Sequence, residues 1–490
     1  MRKPLSFLAE HDLQGHWFVP QAEVPRAPGR LKVGRDGCRL ELDALLNGSG
    51  HQTEPDVVVP VIHGCTSEGE AVSLFRSFRS SWKTRRGGSA DEEVCTESFR
   101  THTVIVGAHV DSESQCFPAI RARVPGLLTW IDDSAISEPT RIADADADAD
   151  TDDNAYGLTM NLKSGTICMS DHDAIPGRVT ISKHFTQTGN RFDTLSWTSE
   201  GWVEIRPAAP QPIQQLLGSL DQVRSMFGLL AGPLMHFDAI ELALDDSQFA
   251  GLLFIPNRHR ICHVAHPLEF LIPFDSIRAT LPVLVDAWLA RMPKIRTVNA
   301  LFESAQLLEK RPWHLLFLTL THALEGLHRS LHVGVYMEPE DYKAVYQEIV
   351  FQLPKSLAPD HLQSLKQRIE HANEISFRKR LLELVASLPA DLRLLTTGQQ
   401  TKVPDVWITT RNAYTHWLDG STSNAVEGME LHGVNTRLLM LVRVLLLMMI
   451  QVPPDLVVSA LRGQRNQWAR ALSDVAAFDR RQALVTQKSR

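Results

Sequence analysis

The sequence predicts an α+β multidomain protein: a β-rich N-terminal part followed by an all-α C-terminal part. Three observations carry this. Up to about residue 206 the apolar residues alternate or run in short stretches, as in strands. After Pro207, Pro210 and Pro212 the spacing changes, and Ile213, Leu216, Leu217, Leu220, Val223, Met226 and Phe227 recur at three and four. From about residue 280 onward every periodic stretch has the helical period.

Length and composition agree with a globular protein of two or three domains: 490 residues, 43% hydrophobic and 22% charged, which excludes disorder as the main theme. The six cysteines, Cys38, Cys65, Cys95, Cys116, Cys168 and Cys262, form no C-x-x-C pair. That usage is the pattern of reduced thiols and implies a cytoplasmic protein. No apolar stretch follows Arg2 and Lys3, so the N-terminus does not read as a signal peptide. The most membrane-like stretch, residues 438–452, is short, contains Arg443 and ends at Pro453-Pro454, so it reads as a buried helix with no membrane role. Charge is uneven: residues 291–490 hold 25 Lys+Arg against 19 Asp+Glu, a balance of +6, leaving −13 for the rest. The basic part is the better partner for a polyanion.

In chain order, Leu31-Lys32-Val33 and Arg39-Leu40-Glu41-Leu42 flank Asp36-Gly37, a hairpin signal. Further strands are expected at residues 57–62, 103–106 and 201–205, with a last β-type stretch from 252–255 to 261–264. The alternating Asp run at 143–153 lacks the Gly turn and closing Glu of a calcium loop and reads as a solvated acidic loop. Arg76, Arg79, Lys83, Arg85 and Arg86, interleaved with Phe78 and Trp82, suit stacking on single-stranded nucleic acid. Asp91, Glu92 and Glu93 follow and partly cancel that charge, so a mobile surface loop is the favoured reading. His259, Cys262, His263 and His266 tempt a zinc assignment, but on a strand Cys262 and His266 face away from His263, so none is made. Helices are expected over 277–291, 297–332, 339–352, 359–387, 407–419 and 431–451. The expected division is 1–280 β-rich, 281–455 helical, and 456–490 a polar tail with helix near 466–479.

The sharpest local feature is Arg411-Asn412-Ala413-Tyr414-Thr415-His416-Trp417, expected at the front of a helix capped by Thr409 or Thr410. Arginine offers a planar fork for phosphate oxygens, and histidine exchanges protons near neutral pH. Helix N-terminal N–H groups would add anion binding. Together these suffice to cleave RNA by transesterification without metal or organic cofactor. At roughly 100° per residue, Asn412 and His416 share a helix face while Arg411 lies about 140° from His416. A site shared by two chains solves that geometry as well as a curled Arg411 does, so a homodimer is expected.

An Arg followed by a polar residue, with His five positions on, late in a helical domain, resembles the HEPN ribonuclease superfamily. The stretch from Phe317 to Arg329 is similar to its first long helix, with Glu325 as the acidic residue. Residues 373–381 resemble the middle helix of the ApeA-like branch. Gly15-His16-Trp17-Phe18-Val19-Pro20, Pro28-Gly29-Arg30-Leu31 and Leu127-Leu128-Thr129-Trp130 are similar to the ApeA N-terminal domain. The resemblance implies an anti-phage abortive-infection protein, a dormant RNase released by an unidentified phage-derived trigger, with transfer RNA as the substrate class. It assigns catalysis to Arg411, His416 and Asn412, with Glu325, Tyr414 and Thr415 in support. Arg378, Lys379 and Arg380 are candidates for RNA phosphates or for a solvated face, and Glu325 either pairs with Arg411 or is a solvated charge. A non-catalytic HEPN domain that dimerises or binds nucleotide stands as the alternative, and a metal-dependent nuclease as a third reading.

Overall fold

The computed structural model describes residues 4–20, 26–34, 37–46, 58–86, 93–132, 140–141, 156–157, 164–172, 177–189, 195–254, 266–308, 312–416, 425–463 and 466–488. Two compact units result. One comprises Met1–Gly228, Met235–Pro267 and Pro273–Asp286; the other comprises Leu229–Leu234, Leu268–Ile272 and Ala287–Arg490.

The first unit is β-rich. Its strands begin with β1 (His11–Phe18), β2 (Ala27–Gly34), β3 (Gly37–Leu42), β4 (Val58–Thr66), β5 (Ala71–Arg86), β6 (Glu93–Arg100) and β7 (Thr103–Val106). Next come β8 (Cys116–Phe117), β9 (Ile120–Arg123), the short helix α1 (Leu127–Ile131), β10 (Thr140–Arg141) and β11 (Tyr156–Gly157). Then follow β12 (Gly165–His172), β13 (Gly177–Gly189), β14 (Leu195–Pro207), β15 (Gln211–Pro212), α2 (Ile213–Ala231), β16 (Ala239–Ala243) and β17 (Phe249–Phe254). The long strand β5 pairs with β4 along its first half and with β6 along its second, which closes β5-β4-β1-β2-β3-β6 into a six-stranded ring. The sheet continues from β5 through β7, β17, β16, β9, β14 and β13 to β12.

Alternation explains the ring. Along β2, Ala27, Leu31 and Val33 point inward while Pro28, Arg30 and Lys32 face out. Trp17, Leu31, Leu40, Ile62, Val72, Leu74 and Phe99 fill the interior. Gly64 is required there, because a Cβ would lie 2.4 Å from the Trp17 ring. The hairpin expected around residues 31–42 is β2–β3, and Gly37 has the positive φ of its turn. The basic, aromatic-rich segment expected as a loop is instead strand β5: Arg79 is largely buried against Glu97 at 2.7 Å, while Phe78 and Trp82 are about half exposed. The side chains of Arg85 and Arg86, the acidic run at 143–153, and Asp91, Glu92, His259, Cys262 and His263 lie outside the described structure. Among the described residues no group of three or more His, Cys, Asp or Glu side chains is placed to hold a metal.

The second unit is helical: α3 (Leu281–Leu308, entering from the first), α4 (Trp313–Leu331), α5 (Pro339–Phe351), α6 (Pro359–Glu370) and α7 (Phe377–Ala386). After these come α8 (Ala390–Thr397), α9 (Asp405–His416), α10 (Gly428–Met449), α11 (Pro454–Arg462) and α12 (Gln467–Lys488). Three expectations are corrected. The first helix runs through Pro293, because Trp288, Met292, Ile295, Val298 and Phe302 keep one buried stripe across it and offset the lost hydrogen bond. The helix expected over 359–387 is two, α6 and α7, since Asn373 ties back to Met337 (3.0 and 2.9 Å) and Ser376 caps α7 through the Lys379 N–H. Residues after 456 form α11 and α12, which bury Val457, Leu461, Leu472 and Val475.

Helix α10 is the centre. It is long and apolar enough to cross a membrane, yet 83% of its most apolar window is buried within the structure. Two arginines lie inside it: Arg443 donates to Gln306 at 2.7 Å and stacks on Trp468 at 4.2 Å, and Arg437 donates to Asp479 at 2.6 Å. Trp468 donates its indole N–H to the Glu269 carbonyl (2.9 Å) and passes Gly232, whose φ of 108° and lack of Cβ permit the approach.

Candidate active site

Helix α9 is placed by its inward residues, Trp407, Ile408, Thr410 and Ala413, all buried. They leave Arg411 partly exposed and Asn412 and Thr415 exposed. The helix begins at Asp405, directly after Pro404, so the motif occupies its middle and C-terminal end. The expected position at a helix N-terminus is therefore overturned, and with it the supply of free N–H donors to an anion. The threonines expected as caps do other work. Thr409 bonds back to the Asp405 and Val406 carbonyls, at 3.5 and 3.2 Å, and buried Thr410 accepts the Val426 N–H at 3.1 Å.

Tyr414 completes that anchor by donating to the Val426 carbonyl at 2.7 Å, so both backbone polar groups of Val426 are held by α9. Its ring packs edge-on against His314 (4.9 Å) and Phe317 (5.8 Å). Burial, followed by the charge of Glu427, raises the Tyr414 phenol above its ordinary value. Tyr414 thus secures the chain on the far side of residues 417–424, which lie outside the described structure, as does the side chain of His416.

Arg411 meets the neighbouring helix. One guanidinium nitrogen lies 3.4 Å from a Glu325 carboxylate oxygen, with side-chain exposures of 20% and 22%. Another lies 3.5 Å from the Asn412 amide oxygen, and the group sits 5.4 Å over the Phe377 ring. Glu325 also accepts from Arg329 at 3.2 Å, the i,i+4 partner on α4. A chain of alternating charge continues inward: Arg329 to Glu374 at 2.6 Å, then Arg380 to Glu374 at 3.3 Å. From there Arg380 reaches His328 Nδ1 at 3.2 Å, and His328 Nε2 reaches Glu383 at 2.7 Å. Since an arginine can only donate, His328 Nδ1 is the acceptor and its Nε2–H the donor, the neutral tautomer. Burial lowers the His328 pKa, in keeping with that form. The hydrogen bond from Arg329 holds Glu374 below the usual carboxylate range, and that from His328 does the same for Glu383.

The three-cation run divides accordingly. Arg378 pairs with Asp405 at the start of α9. Lys379 lies 4.5 Å over the exposed Tyr336 ring. Arg380 is buried, bound to the Ile375 and Gly334 carbonyls as well as to Glu374 and His328. It is a core anchor whose burial keeps it from RNA, which corrects its reading as a phosphate contact. His328, expected as a core or surface histidine, is buried, whereas Arg329, Glu374 and Glu383 had no place in the site predicted from the sequence. The i,i+4 spacing of Glu325 and Arg329 was a usable signal; the pairings of Glu374 and Glu383 join different elements and carried none.

The model for ApeA N-terminal domain 1 matches residues 12–288, more than half of the chain, and that for the Apea-like HEPN domain matches 318–456. The chain belongs to the ApeA-like HEPN family. That family implies a HEPN-type nuclease role in defence against phage. The helical match contains Glu325, Arg329, Arg411 and His416. No curated protein and no solved structure matches the chain.

Proposed function

We propose that the helical unit is a metal-independent endoribonuclease that cleaves transfer RNA during anti-phage abortive infection. One observation carries the reading: Arg411, in an R-x4-H motif inside an Apea-like HEPN match, is held at the surface by Glu325 of the adjacent helix. In the proposed reaction the ribose 2′-oxygen loses its proton to a base and attacks phosphorus, and the 5′-oxygen leaves with a proton from an acid. The products are a 2′,3′-cyclic phosphate and a 5′-hydroxyl. His416 serves as the base or acid, Arg411 stabilises the charge that builds on the phosphoryl oxygens, and Asn412 orients the phosphate. Arg378 and Lys379 add outer phosphate contacts.

Arg411 and His416 stand five residues apart on α9, so two copies of the chain meeting at this helix supply a composite site. The β-rich unit restrains the nuclease until a phage-derived trigger arrives, in the cytoplasm. A division near residue 280 between a β-rich regulatory part and a helical catalytic part, with α11 and α12 belonging to the latter, is the corresponding working scheme.

The rival, a non-catalytic HEPN domain that binds nucleotide or dimerises, draws support from the ion pair that already occupies Arg411. The test is purified full-length protein incubated with total tRNA, wild type beside His416→Ala and Arg411→Ala, with and without extract of phage-infected cells. Cutting by wild type alone supports the nuclease. Undiminished cutting by His416→Ala sinks the assignment, and absence of cutting with extract present favours the rival.

A further inference from the structure

The six-stranded ring of the β-rich unit carries an ordered row of side chains on its outer face. Cross-strand register aligns one residue from each strand: Asp12, Lys32, Arg39, Arg100, Phe78 and Val58. All six are exposed, as the alternation of inward and outward positions requires. The basic, aromatic-rich strand β5 therefore takes its closest cations from β6, β3 and β2 rather than from its own sequence.

Lys32, Arg39 and Arg100 stand directly opposite one another, and like charges so placed destabilise a sheet. The chain offsets only part of that cost. Glu41 pairs with Lys32 at 3.0 Å and with Arg39 at 3.4 Å, while Arg100 has no carboxylate partner among the described residues. Beside Arg100 the row turns apolar, with Phe78 50% and Val58 49% exposed. Further along β5, Trp82 is 47% exposed and is followed by exposed Lys83. At about 4.8 Å between strands, three cations and an open aromatic face lie within roughly 15 Å.

We infer that this outer face of the ring binds single-stranded nucleic acid, with phosphates on Lys32, Arg39 and Arg100 and bases stacked on Phe78 and Trp82. A flexible strand can follow the cations and present its base faces to the aromatic rings at the same time. A duplex hides those faces, and an acidic peptide would use the cations but leave both rings idle. The inference does not depend on cleavage by the helical unit, and it gives the β-rich unit a ligand of its own.

Anisotropy of a labelled oligothymidylate DNA of about 12 nucleotides, a length within the range of small-barrel sites, is measured against the full chain. DNA has no 2′-hydroxyl and is not cut by the proposed chemistry. Wild type, Phe78→Ala, Arg100→Gln and Arg411→Ala are compared over a series of salt concentrations, with thermal melts to verify folding. The expected result is saturable binding, unchanged in Arg411→Ala and weakened at least about fivefold in Phe78→Ala with the same salt dependence. Arg100→Gln should weaken binding and reduce the slope of log affinity against log salt by about 0.7, the value for one phosphate contact on a single strand. Absence of saturable binding overturns the proposal. So does equal affinity for the corresponding duplex, or for polyglutamate, which would assign the row to an acidic protein. Loss in Arg411→Ala with full binding in Phe78→Ala also overturns it, placing the strand at the nuclease site.

Discussion

Replacing Glu325 by Gln separates the positioning of Arg411 from its charge. Gln keeps the shape and a hydrogen-bond acceptor but removes the carboxylate that faces both Arg411 at 3.4 Å and Arg329 at 3.2 Å. At such separations two unit charges interact by about 4 kcal/mol at an effective dielectric constant near 20. With both side chains about one-fifth exposed, solvent screening and side-chain entropy leave a net of about 1 kcal/mol. Arg329 retains Glu374 at 2.6 Å, so the fold loses little else. Catalysis is more sensitive, since a misplacement of about 1 Å costs up to about 100-fold. Glu325→Gln should therefore unfold in urea within about 1 kcal/mol of wild type yet cleave RNA at least about tenfold more slowly. Chemical denaturation and single-turnover cleavage measure the two quantities, and Arg411→Lys completes a double-mutant cycle. Wild-type cleavage by Glu325→Gln would refute the positioning role, as would additive losses in the double mutant.

Three further outcomes are expected. Arg380→Met should destabilise the helical unit by about 1–3 kcal/mol, because the Ile375 and Gly334 carbonyls and His328 Nδ1 lose a buried donor, whereas Lys379→Ala should change stability by less than about 0.5 kcal/mol; urea melts compare them. Gly64→Ala, with its Cβ 2.4 Å from Trp17, should cost at least about 2 kcal/mol and lower the first thermal transition of the β-rich unit. Burial lowers the pKa of His63, His184 and His328, so the unfolded chain binds protons more readily than the folded one. The stability from their neutral forms is full above the ordinary histidine value near 6.5 and is lost as pH falls below it. Denaturation midpoints at pH 7.5 and 5.5 check the sign, and a midpoint higher at pH 5.5 would contradict it.

What the sequence made legible was local. The switch of period at Ile213, the hairpin about Gly37 and the long helices follow from spacing and turn chemistry within a few residues. The six-stranded ring was not legible, because it depends on β5 pairing with β4 and β6 at once. The basic residues of β5 hid its strand character; Arg79 is turned inward only because Glu97 waits on β6. Arg380 carried a signal that its charge obscured, for it shares the buried stripe of Leu381, Leu384 and Val385 on α7. In the site, the motif at 411–416 was readable as letters, but its place on α9 was not. The start of that helix is set by Pro404 and by the burial of Trp407 and Ile408, rather than by the threonines that resembled caps.

The central claim is metal-free RNA cleavage by Arg411 and His416, and the ends of the fragments test it most directly. Full-length protein, with the infected-cell extract if needed, is given total tRNA in EDTA and the products are examined for their termini. The expected products are fragments with 2′,3′-cyclic phosphate and 5′-hydroxyl ends, made by wild type and not by His416→Ala. Cleavage abolished by EDTA, or fragments ending in 5′-phosphate, would contradict it.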